Sequence, residues 1–167
     1  MGGRKVTWAP ANAAARWLSQ GLRNAGAGAV RKGPSTLGKE LSANGSFEKL
    51  AGDMPAGWAV RTCRGTAQHR VADIARSGKH SIEISADKAA EFGVHLKLPV
   101  DRNSEYELSA WIKTEKVAGG GRGAQLYLSG HPDSPGSKAV KGTKDWTQGK
   151  MRIKTGSAKA RWGADTS

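Results

Sequence analysis

Five segments of this chain alternate apolar and polar residues with a period of two, and no other feature restricts its folding as much. In the first, Ile82 and Ile84 alternate with Ser81, Glu83 and Ser85. In the second, Phe92, Val94, Leu96, Leu98 and Val100 alternate with Gly93, His95, Lys97 and Pro99. In the third, Tyr106, Leu108, Ala110 and Ile112 alternate with Glu107, Ser109, Trp111 and Lys113. Ala124, Leu126 and Leu128 repeat the pattern against Gln125, Tyr127 and Ser129, and Met151 and Ile153 repeat it again. Successive side chains of a strand point to opposite faces, so such alternation marks half-buried strands. Gly, Pro, Asp and Asn bound the segments and no long helical pattern separates them, which predicts an all-β antiparallel sandwich or barrel. The predicted core is Phe47, Ile82, Ile84, Val94, Leu96, Leu98, Tyr106, Leu108, Ala110, Ile112, Leu126, Leu128, Met151 and Ile153. Phe47 and Trp58 are expected to anchor the first strand and the loop after it.

At 167 residues the chain has room for one domain and little more. Its only cysteine is Cys63, which excludes an intrachain disulfide framework and any site built from several thiolates. No stretch approaches the roughly 20 apolar residues of a membrane-spanning helix. The net charge of +13 is concentrated at the ends. Residues 1–40 contain Arg4, Lys5, Arg16, Arg23, Arg31, Lys32 and Lys39 against Glu40. Residues 138–161 contain Lys138, Lys141, Lys144, Lys150, Arg152, Lys154, Lys159 and Arg161 against Asp145. The middle is nearly neutral. The chain thus divides into a basic Ala/Gly-rich extension over 1–40, a β-sandwich over 41–156 and a tail over 157–167. The extension is expected to lie outside the fold, mostly disordered, with at most a short helix over Ala11–Arg23 capped by Asn12. It lacks the continuous apolar run of a secretory signal.

Nothing in the sequence assembles a catalytic constellation. His69, His80, His95 and His131 show no metal-ligand spacing, and neither a nucleophile elbow nor a Walker loop is present. Glu105 and Glu107 share a strand, which does not make them a glycosidase pair. Gly119–Gly123 reads as a hairpin loop between two strands. A hairpin about that loop would set Trp111 beside Tyr127 on the outward face. Two neighbouring rings make a platform for the apolar face of a sugar, and Gln125, Lys113 and His95 would supply hydrogen bonds around it. Trp146 reads as a packing residue.

Asn44–Glu48 ("NGSFE"), Pro55–Trp58 ("PAGW"), Gly78–Ser85 ("GKHSIEIS"), Leu98–Thr114 and Gly142–Thr155 follow one another over about 110 residues. In that order they resemble the carbohydrate-binding modules of the CenC type, the family 4/9-like group with a galactose-binding-domain-like jelly roll. The resemblance implies a two-sheet jelly roll that binds polysaccharide or oligosaccharide without cleaving it. It also implies an extracellular or periplasmic place, as one module of a larger secreted, glycan-active protein.

Two departures accompany the resemblance: the closing segment, and the first 40 residues, which resemble no part of the family. The family's closing apolar strand with its aspartate has no clear counterpart, so the last strand is expected to be missing and the chain to be a truncated copy. Family members also hold a structural calcium between the acid of the first motif and that final aspartate. Glu48 matches the first partner, while Asp165 is a poor substitute for the second. Two alternatives stand beside glycan binding: a nucleic-acid- or anionic-surface-binding protein using residues 138–161, and a non-functional gene fragment.

Overall fold

A computed structural model of the chain describes residues 4–9, 16–18, 37–40, 42, 44–99, 101, 103–118, 121–129, 136–155 and 161–166. Its strands are β1 (Arg4–Ala9), β2 (Arg16–Leu18), β3 (Leu37–Glu40), β4 (Leu50–Ala51), β5 (Met54–Pro55), β6 (Ala59–Arg64) and β7 (Gln68–Ala72). They continue as β8 (Ser81–Ala86), β9 (Glu91–Pro99), β10 (Glu105–Val117), β11 (Leu126–Ser129), β12 (Gly142–Lys154) and β13 (Arg161–Thr166). All pairings are antiparallel, and no helix occurs among the described residues. The chain is an all-β sandwich, as its alternation predicts.

The thirteen-residue strand β10 organises the first sheet. β12 runs along one of its edges from Glu105↔Lys154 to Val117↔Gly142. The other edge is shared end to end by β2, at Glu105–Glu107, and β1, at Trp111–Glu115. β1 continues the sheet to β8 and β7, and β2 continues it to β3. The second sheet has the order β11–β13–β9–β6, and β4 and β5 form a separate two-stranded ribbon.

Between the sheets lie Phe47, Ile82, Ile84, Phe92, Val94, Leu96, Tyr106, Leu108, Ala110, Ile112, Leu126, Leu128, Met151 and Ile153, joined by Ala124 and Val140. These include the predicted core residues whose side chains are described. The side chain of Leu98 lies outside the described residues. Tyr106 buries its hydroxyl as well, which accepts the Asp101 N–H at 2.6 Å. Thr155 Oγ1 donates to the Asp101 carbonyl at 2.6 Å and accepts the Ser104 N–H at 2.7 Å. The turn that enters β10 is therefore tied to the end of β12.

Four expectations are corrected. The extension was expected outside the sandwich, yet Arg4–Ala9 pairs with β8 and β10 at once, so these residues belong to the sheet. The reason is an open edge: without β1, β8 and the second half of β10 would lack a partner between them. Arg16–Leu18, within the expected helix, is a strand; the rest of that helix lies outside the described residues. The tail supplies β13, which pairs with both β9 and β11, so a strand occupies the place where the closing one was expected to be missing. The fourth correction concerns β10 and β11, which do not form a hairpin.

Candidate functional site

Trp111 and Tyr127 do not form a joint platform. β10 belongs to the first sheet, where Trp111 sits opposite Gln148 of β12 and Ala9 of β1. β11 belongs to the second sheet, where Tyr127 pairs with Asp165 and bridges Gly136. Both residues alternate with core residues of their own strands, so they face outward on opposite sides of the sandwich. His95, paired with Ala59, is on the second sheet with Tyr127, and Gln125 immediately precedes β11. Lys113 alone stays with Trp111, two residues along β10. The sequence could not show this, because the glycine-rich stretch allows a hairpin and a crossover between sheets equally well.

Around Trp111 the outer face of the first sheet has both donors and acceptors. The connection from β7 to β8 folds over it, fastened by a hydrogen bond from Ser81 Oγ to the Ile74 carbonyl. That connection brings the Arg76 guanidinium over the indole, 4.7 Å from its centroid. Lys113 Nζ donates to Asp145 Oδ1 at 3.1 Å. Hydrogen bonds from the Trp146 backbone and from Lys113 hold the Asp145 carboxyl below its ordinary value. Gln148 stands beside Trp111 on β12. An aromatic face bordered by guanidinium, ammonium, carboxylate and amide groups was only half anticipated. Arg76, Asp145 and Gln148 are distant in sequence, and no local pattern singles them out.

Further along the same face the charges are paired. Glu107 is buried and lies between Lys150, at 3.0 Å, and Arg152, at 3.2 Å. Lys154 meets Glu105 at 2.7 Å, and Arg70 meets Glu83 at 2.8 Å. Three cations of the basic segment 138–161 therefore face acids of β10.

The motifs behind the family resemblance have structural tasks. Asn44 Nδ2 donates to the carbonyls of Lys49, at 2.8 Å, and Ala56, at 3.1 Å, while its Oδ1 accepts the Lys49 N–H at 3.0 Å. Trp58 Nε1 donates to the Asn44 carbonyl at 3.2 Å. Glu48 Oε1 accepts the N–H groups of Lys79, at 2.9 Å, and His80, at 3.3 Å. These donors, that of Lys79 foremost, hold the carboxyl below its ordinary value. Gly78, with φ of +74°, lies so close to this carboxylate that a Cβ would collide with it.

Glu48 thus fastens the first motif to the third. Calcium takes six to eight oxygen ligands, and no group of three or more His, Cys, Asp or Glu side chains able to hold a metal occurs among the described residues. The side chain of Asp165, the other expected partner, lies outside them.

Comparison of the chain with protein-family models, with curated proteins and with solved structures finds no match. No helix among the described residues is long and apolar enough to cross a membrane.

Proposed function

We propose that this protein binds polysaccharide or oligosaccharide without cleaving it, on the outer face of the first sheet at Trp111. The observation behind this reading is the Arg76 guanidinium over the Trp111 ring at 4.7 Å, with the Lys113–Asp145 pair farther along the strand. A sugar ring presents an apolar C–H face and a rim of hydroxyls that both donate and accept. Here an indole face has a donor (Lys113) and acceptors (Asp145, Gln148) beside it, with Arg76 covering the ring until a sugar displaces it. Arg76 is exposed and sits where a sugar would stack, so it yields the ring to the sugar. The resemblance to CenC-type modules supports the same reading and would make the chain part of a secreted, glycan-active protein.

Affinity electrophoresis on a panel of neutral polysaccharides tests it. Trp111→Ala should weaken retention about fivefold, equivalent to about 1 kcal/mol of stacking. Arg76→Ala should keep or strengthen retention, and Tyr127→Ala on the opposite face should leave it unchanged. A wild-type protein retained by no glycan, or retention lost in Tyr127→Ala and kept in Trp111→Ala, overturns the proposal.

A further inference from the structure

The sandwich is open at the end where β8 passes into β9. A cleft of about 600 Å³ enters between the sheets there, within the range of small-molecule sites. Its floor is apolar, formed by Val6, Ile84, Phe92, Val117 and Ala124. Arg4, Arg64, Lys88 and Arg122 also line it, with Glu91 as the single acid. Gly65 helps bring two of these cations together. Its φ is +73°, and a Cβ there would come within 2.7 Å of the Ala89 carbonyl, so the end of β6 presses against the connection carrying Lys88.

On the outer face of the first sheet Arg70, Lys113, Lys150, Arg152 and Lys154 each meet an acid, whereas the cations of the cleft do not. None of its four cations takes part in an ion pair among the described residues. Lysine and arginine are donors only. A sugar's hydroxyls also need acceptors, which the apolar floor lacks and which, among the charged lining side chains, Glu91 alone supplies. The complementary ligand has an acceptor-only, negatively charged head and an apolar body. From this juxtaposition of apolar floor and unpaired cations, we infer that the cleft binds a single-chain alkyl carboxylate. The chain lies on the floor and the carboxylate lies among the guanidinium and ammonium groups. This surface is separate from Trp111 and does not depend on glycan binding there.

Titration calorimetry below micelle-forming concentrations tests the inference with octanoate, decanoate and dodecanoate. Decyltrimethylammonium, decyl maltoside and trigalacturonate serve as head-group and chain controls. Decanoate should bind one to one, with affinity rising about fourfold per added methylene. The combined Arg64→Glu and Lys88→Glu substitution should weaken it at least tenfold. Arg122→Glu lies outside any strand and should also weaken it, with glycan retention at Trp111 unchanged. The inference falls if decyltrimethylammonium or decyl maltoside binds as tightly as decanoate. It also falls if trigalacturonate binds in place of decanoate, or if the charge reversals leave decanoate affinity unaltered.

Discussion

Phe47 meets Trp58 edge to face, with ring centroids 4.9 Å apart and ring planes at 85°. The contact closes the loop that Asn44 grips from inside, since the indole N–H of Trp58 donates to the Asn44 carbonyl. Phe47 is buried, and its φ of 65° is left-handed. Packing thus holds a backbone conformation that a phenylalanine disfavours on its own.

Phe47→Ala should therefore destabilise the domain by about 3–5 kcal/mol. Trp58→Phe keeps a ring but loses the indole hydrogen bond, and should cost about 1 kcal/mol. Urea unfolding followed by tryptophan fluorescence measures both. A wild-type midpoint in Phe47→Ala would show that the contact does not stabilise the loop.

Acid should destabilise this protein through Glu107 and Glu83. Burial raises the Glu107 carboxyl, but hydrogen bonds from Lys150 and Arg152 outweigh it and hold the group below its ordinary value near 4.5. The Arg70 hydrogen bond does the same for Glu83 against its burial. A carboxyl whose pKa is lower in the folded state contributes its full stability above the unfolded value. That contribution is lost as pH falls through the folded one. Unfolding free energy should hold steady from pH 7 to 5 and decline below about 4.5. Glu107→Gln should cost about 1–2 kcal/mol at pH 7 and make the acid decline shallower. An unchanged slope would remove Glu107 from the acid transition.

β1 should be as firmly held as its neighbours. The amides of β1 that bond to β8 or β10 should exchange with solvent as slowly as the inner amides of β8. Val6→Pro removes one ladder hydrogen bond from a strand paired on both sides, and should cost at least about 1–3 kcal/mol. Fast exchange throughout residues 4–9 would contradict the pairing.

Thr114 should tolerate loss of its hydroxyl. Its side chain is buried, 2 % exposed, and Oγ1 has no hydrogen-bond partner among the described residues. An unsatisfied buried hydroxyl costs about 1–3 kcal/mol, so Thr114→Val should raise the unfolding free energy by about 1 kcal/mol. A loss of stability would show that the hydroxyl has a partner in solution.

The strands of the sandwich were legible because period-two alternation is a local property of a half-buried strand. Ile82 and Ile84, Tyr106 to Ile112, Leu126 and Leu128, and Met151 and Ile153 were placed in the core by that rule, and the buried core contains them. The motifs from Asn44 to His80 were legible as well, but not their work. Glu48 matches a calcium ligand in the pattern, whereas in the fold its oxygen accepts two backbone N–H groups more than thirty residues away.

Strand order was decided only by the tertiary structure. Alternation tells which face of a strand is buried but carries nothing about which strand lies beside it. β10 pairs with β12 across an intervening strand, and Arg4–Ala9 reaches across the chain to lie between β8 and β10. These pairings depend on edges that exist only after the other strands have assembled. The same limit governs both candidate sites: Arg76 meets Trp111, and Arg4 lines a cleft with Arg122, through contacts between segments far apart in the chain. The sequence determined the faces of the strands, and packing decided their neighbours.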